Sequence, residues 1–148
     1  MKKTIFTLCL LLIIAFATYG NGFQSTGWDT QTVQLTNKFG TADGYSNHDG
    51  KLNLAYRGSF EGKDCNSYYI FEDGVLSEGL IVIERAFYQD NLQKDYNDLI
   101  ASLNSRYGSA SVKAENQYRW IEGDSEITLN YSTEGSGSLS VSWSPAAE

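Results

Sequence analysis

Leu35-Thr36-Asn37-Lys38-Phe39-Gly40-Thr41-Ala42 and Leu103-Asn104-Ser105-Arg106-Tyr107-Gly108-Ser109-Ala110 are one stretch written twice, 68 positions apart. Leucine, glycine and alanine recur unchanged, and every other position keeps its chemistry: Lys38 answers to Arg106 and Phe39 to Tyr107. Each copy reads as the end of a helix, with a cation in the last turn and a glycine just past it. Shared capping chemistry produces part of such a match by itself. The order of elements around the copies argues for internal duplication.

Outward from the second copy, Tyr96, Leu99, Ile100, Leu103 and Tyr107 recur at steps that place them on one helical face, and Asp90 with Gln93 fits a variant capping box. Outward from the first copy, a short helix is expected from Thr30 to Phe39, with Asp29 as N-cap and a Trp28–Val33 staple. After each helix the period drops to two. Ile127, Leu129 and Tyr131 alternate with Glu126, Thr128, Asn130 and Ser132, and Leu139, Val141 and Trp143 alternate with Ser138, Ser140, Ser142 and Ser144. Such alternation describes antiparallel strands with one buried face. Tyr118 and Trp120 mark a third strand turning at Gly123-Asp124, and Asn53–Arg57, Ser67–Glu72 and Leu80–Arg85 read as three more, with Asp73-Gly74 a hairpin turn. The expectation is an α+β fold: an antiparallel sheet of about six strands with two helices on one face, built as a tandem αβββ repeat.

The amino terminus reads as an export signal, with Lys2 and Lys3 preceding an apolar run from Ile5 to Phe16 and small residues at Ala15-Phe16-Ala17. Cleavage after Ala17 is the first reading and after Gly20 the second. Cys9 lies inside the apolar run, which argues against lipidation there. Removal of residues 1–17 leaves about 130 residues, the size of one domain. Residues 18–27 form a polar lead-in and residues 28–148 a single domain. The run is too short to span a bilayer, and no later segment reaches that length, so no stable membrane insertion is expected after cleavage. These features place the chain in the bacterial periplasm or outside the cell.

The formal charge is −7, and the signal carries away two of the eleven cations. Nucleic acid is excluded as a partner because clustered Lys and Arg are missing, whereas a basic protein partner is compatible with the charge. Cys65 is the one cysteine outside the signal, so the domain has no internal disulfide, and a Cys65-linked dimer is weighed against a buried thiol.

The search for chemistry returns little. His48, the one histidine, sits in the turn-rich segment Asp43–Gly50, where Asn47, Asp49 and Gly50 occupy EF-type positions but Tyr45 and Tyr56 replace both end ligands. No zinc set, nucleophile elbow or phosphate loop occurs. Glu72-Asp73 and the group Glu122, Asp124 and Glu126 read as solvated charges, leaving a carboxylate-based hydrolase as the third choice. No catalytic residue, metal or cofactor is assigned.

Tyr68-Tyr69-Ile70-Phe71 and Leu80-Ile81-Val82-Ile83 are apolar on both phases of a strand. They are therefore either central strands covered twice or part of a docking surface. The candidate partner-binding set is Tyr68, Tyr69, Phe71, Thr128, Asn130, Ser140 and Ser142.

Trp28 before a helix ending in Phe39-Gly40, then Tyr69-Ile70-Phe71-Glu72-Asp73-Gly74-Val75-Leu76, then Asp95-Tyr96-Asn97-Asp98-Leu99 leading to Arg106-Tyr107-Gly108 and Trp120, resembles a group of small exported bacterial proteins. Their layout is similar to that of the beta-lactamase inhibitor protein fold, in which helices pack on an antiparallel sheet whose open face grips another protein. No inhibitory motif of that family is matched. The resemblance implies a non-catalytic binding module, of inhibitor or immunity type; the alternative is an envelope maintenance or assembly factor that binds an outer-membrane partner.

Overall fold

Strands predominate in the computed structural model, which describes residues 22–84, 90–135 and 137–147. The signal reading, with Cys9 and both cleavage choices, lies outside the described residues, as does the Asp90 side chain. The chain runs α1 (Thr32–Phe39), β1 (Gly44–His48), β2 (Lys51–Phe60), β3 (Lys63–Glu72), β4 (Val75–Ile83), α2 (Asp90–Tyr107), β5 (Ser111–Ala114), β6 (Gln117–Glu122), β7 (Ser125–Ser132) and β8 (Ser138–Pro145). All eight strands form one antiparallel sheet in the order β1-β2-β3-β4-β8-β7-β6-β5.

This corrects the expected α+β fold of about six strands carrying two helices. The protein is a mostly-β, eight-stranded sheet, and its unit is a helix followed by four strands rather than three. The two strands missed are the sheet edges, β1 and β5. The four strands of each half form a meander, and the halves meet where β4 pairs β8 through Gly79↔Trp143, Leu80↔Ser142, Ile81↔Val141 and Val82↔Ser140.

Local chemistry sets these elements. In the first half the hairpins turn at Asp49-Gly50, Glu61-Gly62 and Asp73-Gly74, with both residues of each pair at positive φ. Two-residue turns of this hand match the twist of the flanking strands. A bulge at Ser77, whose hydroxyl donates to the Ile70 carbonyl at 3.1 Å, resets the pleat of β4 so that Leu76, Gly79, Ile81 and Ile83 all face the core. Both helices end alike: Gly40 N–H donates to Thr36 O at 2.8 Å and Gly108 N–H to Asn104 O at 2.9 Å.

The starts differ from expectation. α1 begins at Thr32, with Gln31 as N-cap rather than Asp29, and the Gln34 side chain accepts from the Gln31 N–H at 2.7 Å. Val33 is 59% exposed, so the Trp28–Val33 staple does not form.

The core occupies one side of the sheet. Leu54, Phe60, Cys65, Tyr69, Phe71, Leu76, Ile81 and Ile83 from the first half meet Trp120, Ile127, Leu129, Leu139, Val141 and Trp143 from the second. Leu35 of α1 and Leu92, Tyr96, Leu99 and Leu103 of α2 join the same cluster. Full burial of each such side chain contributes about 1.5–3 kcal/mol. Asn104 ties the end of α2 to the sheet, its side-chain Oδ1 accepting from Trp120 Nε1 at 3.1 Å and from the Ala110 N–H at 3.0 Å. Asn104→Ala should cost about 1–3 kcal/mol, read as a lowered denaturant midpoint with an unchanged slope.

The two helices cover their halves unequally. α1 has eight residues and α2 eighteen, so their lengths are about 12 and 27 Å. The polar lead-in makes up the difference. Phe23 is 0% exposed, with its ring 4.7 Å from Tyr69 and 5.1 Å from Trp143. Gln24 accepts from the Tyr69 hydroxyl at 2.7 Å, while Gly22 N–H and Trp28 Nε1 both donate to Ser125 Oγ at 3.1 Å. Residues 22–28 thus strap the first half to the second.

Candidate protein-binding face

The side of the sheet away from the core presents every second residue of six strands. One row follows the register across the sheet: Ala55, Tyr68, Leu80, Ser142, Thr128 and Arg119. A parallel row holds Arg57, Asn66, Val82, Ser140, Asn130 and Gln117. Ile70 and Glu78 pair in a further row. Tyr68, Ile70, Leu80 and Val82 are half-buried and belong neither to the core cluster nor to the side chains packed against it. They form an apolar strip on β3 and β4, and the second half continues it as hydroxyls and amides.

The predicted set therefore divides. Tyr68, Thr128, Asn130, Ser140 and Ser142 share this face, with Thr128 nearly covered by its neighbours. Tyr69 and Phe71 do not; each is 2% exposed in the core, and both leave the candidate set. Burial drives the Tyr69 hydroxyl well above the ordinary tyrosine range, as a core phenol demands. The sequence reasoning missed Ile70, Leu80 and Val82 as members. The signal was present in the doubly apolar strands, but their phase was not.

Ion pairs frame the strip and the hydroxyl rows. At one end Lys51 Nζ lies 2.9 Å from Glu78 and 3.4 Å from Glu72. At the other, Lys113 Nζ donates to Glu126 Oε1 at 2.8 Å and Arg119 Nη2 approaches Glu126 Oε2 at 2.8 Å. Gln117 donates to Asn130 alongside. The hydrogen bond from Lys113 holds the Glu126 carboxyl below its ordinary value of 4.5; partial burial opposes this, and the charges of Lys113 and Arg119 add to it. A depressed carboxylate contributes stability that is complete above pH 4.5 and is lost as the pH falls through the lower folded value. Glu126→Gln should accordingly lower stability at neutral pH and flatten the acid limb below pH 4.5, with the difference from the parent protein vanishing once the carboxyl is protonated.

The remaining chemical candidates disperse. His48 and Asp49 form an exposed pair at 3.1 Å on the β1–β2 turn. Glu72 is engaged by Lys51, and Glu126 by Lys113 and Arg119. Among the described residues no group of three His, Cys, Asp or Glu side chains is placed to hold a metal ion. Cys65 is buried beside Ser67, and burial raises its thiol above the ordinary range.

These features define a single-sheet antiparallel β domain with one face in the core and one face that presents half-buried apolar, hydroxyl and amide side chains. No family model matches the chain, and no curated protein matches it. Among solved structures it is similar to a cysteine-rich secretory protein from Staphylococcus aureus subsp. aureus Mu50, with 16% sequence identity and a TM-score of 0.51. The match covers 85% of this chain and 47% of that one, so this chain spans about half of the longer protein. At this identity the likeness is one of fold. Among the described residues no helix is long and apolar enough to cross a membrane.

Proposed function

We propose that this chain is an exported, non-catalytic protein-binding module, of inhibitor or immunity type, that grips its partner with the sheet face opposite the core. The observation that carries the reading is the strip Tyr68, Ile70, Leu80 and Val82, large apolar side chains standing half-exposed beside hydroxyl and amide rows. An apolar centre rimmed by polar groups is the anatomy of a protein interface. Tyr68, amphipathic and restricted to two torsions, is the residue type that concentrates binding energy at such centres. The apolar amino-terminal run supports export, and the secretory neighbour in fold is consistent with it.

Photo-crosslinking in the native envelope and medium fractions tests the reading. A crosslinking amino acid at position 68, 82 or 142 should capture one and the same protein, while the same group at exposed Val33 or Val112 should not. Leu80→Glu should abolish capture from position 68 without altering the thermal midpoint by more than about 0.5 kcal/mol equivalent. Equal capture from Val33 and Val112, or survival of capture in Leu80→Glu, would refute the proposal.

A further inference from the structure

The sheet has two edges, and only one of them is blunted. β5 is four residues long, is bent by a register shift between Val112 and Ala114, and carries Lys113, which reaches to Glu126. Short length, a bulge and a lysine are the usual defences against an added strand. β1 is also short, but it has neither the register shift nor the lysine. Its five residues, Gly44-Tyr45-Ser46-Asn47-His48, pair with β2 in unbroken register and contain no lysine, arginine, carboxylate or proline.

The hairpin fixes which groups of β1 face outward. A two-residue turn at Asp49-Gly50 makes His48↔Lys51 a hydrogen-bonded pair, and the antiparallel alternation then makes Ser46↔Asn53 and Gly44↔Ala55 bonded pairs as well. The backbone N–H and C=O of Tyr45 and Asn47 consequently point away from β2. Among the described residues no strand pairs with them. Tyr45 is 83% exposed, a large aromatic side chain on the edge strand.

We propose that the β1 edge receives an extended segment of a partner protein as a ninth strand, and that the segment is basic at both ends of its pairing stretch. Tyr45 and Asn47 offer two donors and two acceptors to the incoming backbone, the mode of strand addition. Asp43 and Asp49 bracket β1, and both are exposed. They favour lysine or arginine about six residues apart on the added strand. The same pair disfavours a second copy of this chain: antiparallel self-pairing about Ser46 sets Asp43 of one copy against Asp49 of the other, a like-charge clash across the seam. A β-branched or aromatic residue opposite Tyr45 would cover its ring. This surface is distinct from the sheet face proposed above, and either reading survives the failure of the other.

The test uses the full chain, expressed with its own leader and purified as processed, with the synthetic peptide acetyl-Lys-Thr-Val-Thr-Val-Thr-Lys-amide and its Glu-ended counterpart as probes. Expected is saturable binding of the lysine peptide, with slowed exchange confined to the Tyr45 and Asn47 amides, and binding at least tenfold weaker for the glutamate peptide. Asp43→Asn and Asp49→Asn keep a side-chain acceptor at 43 and an Asn-Gly turn at 49, and each should weaken the lysine peptide about threefold. Asn47→Pro removes an outward N–H rather than a ladder bond, and should abolish binding while the amides of β2 and β3 stay protected. Equal binding of both peptides, protection at residues of the open face instead of β1, undiminished binding by Asn47→Pro, or a concentration-dependent dimer that Asn47→Pro disperses would each overturn the proposal.

Discussion

Phe23→Ala should lower the stability of the domain by about 3–5 kcal/mol, the cost of emptying a fully buried aromatic site. The size of the effect follows from what the ring touches. Phe23 is packed between Tyr69 of β3 and Trp143 of β8, so it contacts both halves of the sheet where they meet. The backbone around it is closed into a tight loop by Phe23 N–H to Thr26 O at 2.8 Å and the reciprocal bond at 3.0 Å, and Lys38 of α1 donates to Ser25 O at 2.8 Å. Loss of the ring therefore removes the anchor of the whole strap. Domains of this size hold about 5–15 kcal/mol in total. Chemical denaturation should show the midpoint falling by a large fraction, and the Trp28 fluorescence should report its release from Ser125.

Gly79→Val should be comparably damaging from the opposite side of the same contact. A Cβ on Gly79 would lie 2.0 Å from Phe23 Cγ and 2.3 and 2.4 Å from the two Cδ atoms. No rotamer change relieves that overlap, because the clash is with the root of a ring held in a closed loop. Either the strap detaches or β4 shifts against β8, and overpacking of this kind costs about 1–3 kcal/mol or more. The two predictions are coupled. In the Phe23→Ala background the new side chain enters the space the ring vacated, so the double variant should be more stable than the sum of the single losses implies. Simple additivity in that cycle would mean that Phe23 does not sit on Gly79.

What was legible in the sequence was whatever burial had written with a period. The stripe Tyr96, Leu99, Leu103 is the buried face of α2, and the alternation in β7 and β8 is the core phase of those strands. The repeated Phe39-Gly40 and Tyr107-Gly108 endings carry the same cap bond in both halves. β1 and β5 left no such trace, because their residues lie beyond the core and almost all are exposed on both faces. Missing them turned eight strands into six. Phe23 was missed for a different reason: a lone aromatic among Gly, Asn, Gln and Ser has no period, and its burial depends on a glycine in a distant strand.

The candidate face was half legible for a related cause. In β3 both phases are apolar, and period-two reasoning cannot say which of Tyr68 and Tyr69 turns inward when neither alternates with a polar residue. The bulge at Ser77 obscured β4 in the same way by inserting one residue into the alternation. In β7 and β8 the serines, Thr128 and Asn130 gave the outward phase away.

Thiol labelling of Val82→Cys, Leu80→Cys and Ser142→Cys in the free protein reads the openness of the sheet directly, with native Cys65 as the internal reference. The account predicts that all three engineered thiols react with a maleimide at the rate of accessible cysteines while Cys65, 1% exposed on the core side, stays protected. Protection of positions 80, 82 and 142 equal to that of Cys65 would show the face to be covered by the chain itself, and would contradict the account.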